Sequence, residues 1–154
     1  MTDTIASQKS TPVQTFSQRA MTPDDLFDLR FLQSAVLSPD GQYVCAVVSS
    51  YDGERDADIH HLWLYPLDGA PPRQLTQEWQ SRHHGKNLSP AWSPDSTQVA
   101  FVANRGSGGR QQICVMPVDG GEAKVLTDLP QGVAGAISWS PNGKWIAFST
   151  LSEA

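Results

Sequence analysis

The sequence predicts an all-β chain: a partial β-propeller of about two and a half four-stranded blades preceded by a short N-terminal helix. Three observations carry this. A phrase made of an apolar residue, Ser-Pro-Asp/Asn and usually Gly, followed by an apolar run, occurs three times. It reads Leu37-Ser38-Pro39-Asp40-Gly41, Trp92-Ser93-Pro94-Asp95-Ser96 and Trp139-Ser140-Pro141-Asn142-Gly143. Its prolines at 39, 94 and 141 lie 55 and 47 residues apart. A second phrase runs out of phase with the first: Leu62-Trp63-Leu64-Tyr65-Pro66-Leu67-Asp68-Gly69 returns 51 residues later as Ile113-Cys114-Val115-Met116-Pro117-Val118-Asp119-Gly120. Lastly, the runs after the first phrase, such as Val99-Ala100-Phe101-Val102, are apolar at successive positions, so both faces of the sheet are expected to be covered.

The elements follow in order. Residues 1–20, rich in Ser, Thr and Gln, read as a flexible leader. Residues 21–32 read as a short helix: Thr22 caps, Pro23 suits the first helical position, Asp24 and Asp25 complement the positive helix end, and two turns run to Phe31. Residues 33–154 form the incomplete propeller. Blade 1 spans about 33–76, with strands near 35–37, 43–49, 61–66 and 73–76. Blade 2 spans about 87–127, with strands near 88–92, 98–103, 111–117 and 123–127. Half of a third blade spans about 133–150, with strands near 136–139 and 145–150. Ser-Pro-Asp-Gly makes each first hairpin turn, because Pro presets φ at the second place, Asp tolerates the third and Gly takes the fourth. Asp-Gly at 68–69 and 119–120 closes the connection between third and fourth strands.

Composition narrows the function classes. Of the 154 residues, 39% are hydrophobic and 18% charged, which suits a folded domain. Eleven Lys and Arg against sixteen Asp and Glu give a formal charge of −5, and no basic cluster offers a phosphate-binding face, so nucleic acid is not an expected partner. The apolar runs have strand length, far short of the roughly 20 residues needed to span a bilayer. The first 20 residues lack an apolar signal core, so the expected location is cytoplasmic, without membrane association. Cys45 and Cys114 sit inside apolar runs and read as small buried hydrophobes, not as a disulfide.

No group in the chain reads as a catalytic, cofactor or metal site. The segment from Tyr51 to His60 is an acidic loop with Asp52, Glu54, Asp56 and Asp58 at alternate places, but Ala57 and Trp63 stand where a calcium loop needs Gly and Glu, so it reads as a solvated connection. His60-His61 and His83-His84 are adjacent pairs, and strand neighbours point to opposite faces, which is unsuited to gripping one metal. Arg105-Gly106-Ser107-Gly108-Gly109-Arg110 lacks the order of a phosphate loop and reads as a flexible hairpin. The strand-to-helix nucleophile signature G-x-S-x-G is absent. Ser38, Ser93 and Ser140 belong to the repeated turn, and the interchange of Asp40 and Asp95 with Asn142 suits a turn role better than proton transfer. The five tryptophans read structurally: Trp92, Trp139 and Trp145 in repeat strands, Trp63 in a third strand and Trp79 in a loop.

Met21-Thr22-Pro23-Asp24-Asp25-Leu26 followed by Leu37-Ser38-Pro39-Asp40-Gly41, and His61-Leu62-Trp63-Leu64 through Arg73-Gln74-Leu75-Thr76, resemble the N-terminal propeller of prolyl oligopeptidase family serine peptidases of the acylaminoacyl-peptidase and dipeptidyl-aminopeptidase type. The resemblance covers about residues 21–150. It implies a parent protein in which further blades and an α/β-hydrolase domain follow, the propeller restricts access to short peptides, and Ser, Asp and His of the later domain hydrolyse them. None of those three has a counterpart here, so the chain alone is expected to be inactive. Ser96, where Gly is usual, is the one departure in the phrase. TolB-type propellers share the repeat, so a propeller module for protein interaction without enzymatic role is the alternative; a self-contained small enzyme is disfavoured. An array cut after its third opening would expose Trp145, Ile146 and Phe148 and an unpaired strand edge, from which self-association is expected.

Overall fold

The computed structural model describes residues 19–54, 56–77, 87–105 and 107–151. The leader and His83-His84 lie outside them, as does Trp79. Among the described residues one helical turn, α1 (Asp25–Asp28), precedes ten strands. The first sheet contains β1 (Arg30–Leu37), β2 (Tyr43–Asp52), β3 (Ala57–Pro66) and β4 (Arg73–Gln74) in that spatial order. The second contains β5 (Asn87–Trp92), β6 (Gln98–Ala103), β7 (Gln112–Pro117) and β8 (Lys124–Val125), again in chain order, and the third pairs β9 (Ala134–Trp139) with β10 (Ile146–Ser149). Every neighbouring pair is antiparallel. Up-and-down four-stranded sheets packed face on face are the arrangement the out-of-phase phrases predict.

Period-two alternation assigns the two faces of each sheet. Cys45 and Val47 of β2, with Leu62 and Leu64 of β3, meet Val99, Phe101, Cys114 and Met116 of the second sheet in one buried cluster. The intervening residues Ala100, Val102 and Ile113 point the other way and form a second cluster with Ile137 of the third sheet and Val133 just before it. The middle sheet is therefore apolar on both sides, and Val99 through Val102 are at most 2% exposed. Both seams gain stability chiefly from this burial, at about 25 cal/mol per Å² of apolar surface.

Several boundaries differ from the sequence reading. The helix ends at Asp28 and does not reach Phe31, because Leu29 is already extended and β1 begins at Arg30. A two-turn helix is marginal alone, whereas the ladder from Arg30 to Leu37 pairs along β2. Nor does Thr22 cap the helix: the Asp25 carboxylate accepts from the Thr22 backbone N–H at 2.6 Å and binds Arg19, while Asp24, the N-cap, makes no side-chain cap bond. The apolar side of the turn does find a neighbour, since the Phe27 ring lies 5.4 Å from that of Tyr51 and so close over Gly53 that a Cβ there would meet it at 3.1 Å.

The acidic segment is likewise more ordered than a loop. Tyr51 pairs with Asp58 and Asp52 with Ala57, so the β2–β3 ladder reaches into the acidic segment. Its acidic residues are held locally: Asp52 accepts from the Glu54 backbone N–H, and Asp56 accepts from the Tyr51 hydroxyl. In the third sheet, Trp145 and Phe148 are exposed as expected, but Ile146 packs against the second apolar cluster.

Candidate functional site: the turns and the seams between blades

The repeated phrase builds the same turn three times. The serine accepts an N–H from the residue three places on (Gly41 to Ser38, Ser96 to Ser93, Gly143 to Ser140, each 2.9 Å), which closes the turn around the proline. The serine hydroxyl donates to the carboxylate or amide oxygen two residues on, at 2.5–2.7 Å, in Asp40, Asp95 and Asn142 alike. The same hydroxyl accepts the N–H that opens the second strand, from Tyr43, Gln98 and Trp145, at 2.9–3.0 Å. Each hydroxyl is thus engaged as donor and acceptor, and Ser38 and Ser93 are 2% and 4% exposed. Both are buried and held inside their own turns, which does not suit nucleophilic attack. The hydroxyl contacts from Ser38 and Ser93 hold the Asp40 and Asp95 carboxyls below their usual range.

The fourth place of the turn is left-handed backbone: Gly41 at φ 70°, Gly143 at φ 68° and Ser96 at φ 61°. Ser96 keeps the geometry that the departure from Gly called into question. Its hydroxyl oxygen accepts the backbone N–H of Asp40 at 3.1 Å, a bond from one blade's turn to the next that offsets part of the left-handed strain.

That bond belongs to a set stitching the seams. The tryptophan that opens the phrase donates its indole N–H backward, from Trp92 to the Val36 carbonyl at 3.0 Å and from Trp139 to the Ala91 carbonyl at 3.1 Å. At the first seam the Trp92 ring also stacks on Tyr43, with centroids 6.4 Å apart. The Arg73 guanidinium donates to the Val118 carbonyl, and the Asn87 amide donates to the His60 carbonyl at 2.7 Å. Sequence reading treated these tryptophans as strand residues and missed their bonds. The signal was present in the repetition of Trp at the first place of two phrases and its replacement by Leu37 in the other.

An open groove follows the turn end of the first seam, between Tyr43 and Arg73 on one side and Ser96 and Asp119 on the other. Asp68 and Asp119 are its carboxylates and Arg73 its cation, with no His or Cys in its walls, so it offers no nucleophile–base pair. His60 and His61 are consecutive in β3, and no cluster of three metal-binding side chains occurs among the described residues. Burial pushes the Cys45 and Cys114 thiols up to about 12 and about 11, so both stay protonated and inert. The Gly-rich stretch holds a short 3-10 turn, Ser107–Gly109, leading into a strand and not the long helix of a phosphate loop. No helix among the described residues is long and apolar enough to cross a membrane.

No protein-family model matches the chain. It is 33% identical over 133 residues to the uncharacterized peptidase YuxL of Bacillus subtilis, an alignment covering 84% of this chain and 19% of YuxL. Its fold matches the acylaminoacyl peptidase of Pyrococcus horikoshii with a TM-score of 0.62 at 15% identity, over 79% of this chain and 17% of that one. TolB from Acinetobacter baumannii matches with a TM-score of 0.58 at 21% identity, over 77% of this chain and 26% of that one. The chain thus spans about a fifth of the length of its peptidase relatives. The ten strands and these neighbours together bear out the resemblance read from the repeats: the chain is a partial β-propeller like the propeller portion of prolyl oligopeptidase family peptidases.

Proposed function

We propose that this chain is the gating part of a longer cytoplasmic serine peptidase, a stretch of propeller that restricts the access of short peptides to an α/β-hydrolase domain, and that it is inactive alone. The observation that carries the reading is the full engagement of the Ser38 and Ser93 hydroxyls inside their turns, in a chain whose relatives include peptidases several times its length. With those hydroxyls buried and held in their turns and no nucleophile–base pair in the groove, hydrolysis would fall to residues of another domain. The purified chain should show no turnover of chromogenic N-acyl amino-acid or short peptide substrates. Sustained serine-inhibitor-sensitive hydrolysis would overturn the reading.

A second reading is favoured by the match to TolB: a propeller module for protein interaction without chemistry. The coding sequence downstream of Ala154 discriminates the two. Further blades followed by G-x-S-x-G support the peptidase; blades followed by a stop codon support the interaction module.

A further inference from the structure

We propose that Asn142-Gly143, at the tip of the third turn, is a self-modification site: when the turn opens, the Gly143 main-chain nitrogen attacks the Asn142 side-chain amide and converts the residue to aspartate or isoaspartate. The chain has three asparagines, at 87, 104 and 142, and only Asn142 precedes glycine. A side chain on the following residue shields its nitrogen from such attack, whereas Gly143 has none and moves through backbone conformations closed to other residues. Asn87, by contrast, is buried, is followed by Leu88, and donates its amide to the His60 carbonyl. The tips at Asp40, Asp95 and Asn142 are all exposed, including the two on seams already packed, so water reaches Asn142 whatever lies against the third blade.

The closed turn holds both reacting groups. The Gly143 N–H donates to the Ser140 carbonyl at 2.9 Å. The Asn142 Oδ1 accepts from the Ser140 hydroxyl at 2.7 Å and from the Lys144 N–H at 3.1 Å. Attack needs the amide to swing and the Gly143 nitrogen to give up its proton, so these three bonds must yield first. The step then balances with water alone. A bond forms from the Gly143 nitrogen to Asn142 Cγ, the Cγ–Nδ2 bond breaks, and ammonia leaves with the Gly143 proton. Water opens the resulting cyclic imide at either carbonyl. Opening at the side-chain carbonyl leaves aspartate at 142, the residue type of the other two turns, whose carboxylates take the same hydroxyl bond. Opening at the main-chain carbonyl leaves isoaspartate, which carries an extra carbon through the backbone. That moves Lys144 and Trp145 out of register with Oδ1 and with the Ser140 hydroxyl, which accepts the Trp145 N–H at 3.0 Å in the closed turn. An opening of the third turn is thereby written into covalent structure. Asp40 also precedes glycine, but the Ser38 hydroxyl favours its ionised form, and a carboxylate is a poor electrophile.

The test follows the mass and isoaspartate content of the peptide carrying residue 142 while the 154-residue chain is held at mildly alkaline pH. Conversion should be fastest in the urea-unfolded chain, and Gly143→Ala should suppress it there. In native buffer the parent chain should convert on the order of a hundredfold more slowly, because only the opened turn reacts. Ser140→Ala removes the hydroxyl from both of its bonds and should speed native conversion about tenfold while staying below the unfolded rate. Ser38→Ala makes the same loss in the first turn and should leave the rate at 142 within about twofold of the parent. The proposal is overturned if Asn142 does not convert in the unfolded chain or if Gly143→Ala converts there as fast. It is equally overturned if native and unfolded chains convert alike, if Ser140→Ala leaves the native rate unchanged or slows it, or if Ser38→Ala speeds it as much.

Discussion

The two seams of this chain are built from one plan and differ in how heavily they are fastened. Between blades 1 and 2, a large apolar cluster including Phe101, Leu62 and Leu64 is backed by the Trp92 indole bond, its stack on Tyr43, the Ser96–Asp40 bond, the Arg73 bridge and the Asn87 amide. Between blades 2 and 3 the indole bond recurs from Trp139, but the cluster of Ala100, Val102, Ile113, Val133 and Ile137 has smaller side chains, and Gly143 stands where Ser96 would bond across. The comparison separates what a propeller repeat must keep, an apolar face and one backward indole bond, from what a particular seam adds. In a repeat array each seam contributes its own increment of stability, so the second should open first.

The largest effect that sharpens this contrast is expected in the first cluster. Phe101→Ala removes a fully buried ring and should cost about 3–5 kcal/mol, read as loss of amide-exchange protection throughout blades 1 and 2. Ile137→Ala in the second cluster should cost about 2–4 kcal/mol and loosen only the third blade. Equal, global loss of protection in both variants would break the picture of independent seams.

Next come the indoles. Trp92→Phe should cost about 1–3 kcal/mol, because it removes the indole bond to the Val36 carbonyl and weakens the stack on Tyr43; Trp139→Phe loses the bond alone and should cost about 0.5–1.5 kcal/mol. Denaturant melts of both variants, compared with Trp63→Phe, check the order.

The turns differ in their response to acid. Asp40 and Asp95 titrate below 3.8, their ordinary value, because the Ser38 and Ser93 hydroxyls favour the carboxylate. A depressed folded pKa contributes stability that is full above the ordinary carboxyl range and is lost as pH falls through the depressed value. The first two turns should therefore loosen below about pH 4, while the third, built on Asn142, should not. Exchange protection at Tyr43, Gln98 and Trp145 between pH 5 and pH 2.5 follows all three, and Asp40→Asn with Asp95→Asn should abolish the difference.

The smallest effect is at Ser96. Ser96→Gly relieves left-handed strain of about 1 kcal/mol and loses a bond of similar worth, so stability should barely change. Ser96→Ala keeps the strain and loses the bond, and should cost about 1 kcal/mol. Thermal melts of the pair separate the two contributions.

Much of the fold was legible because the Ser-Pro-Asp turn is a local device: its bonds join residues within five positions, and the sequence displays all of them. The two-faced strands were legible for the same reason, since Val99 to Val102 offer no polar side. Where sequence reading erred, pairing across a strand ladder outweighed a local preference. Leu29 and Arg30 suit a helix until β2 offers a ladder, and Asp52 and Asp58 suit a loop until Tyr51 and Asp56 close the hairpin around them. The indole bonds were illegible because strand register fixes neighbours within a sheet and says nothing about the sheet stacked against it.

The backward direction of those indoles bears on synthesis. A chain leaves the ribosome from its first residue onward, and the carbonyls of Val36 and Ala91 each emerge 56 and 48 positions ahead of the donors they receive. Each new repeat therefore meets the acceptor for its indole on structure already made, whereas Arg73 and the Asp40 N–H of the first blade wait for acceptors that emerge later.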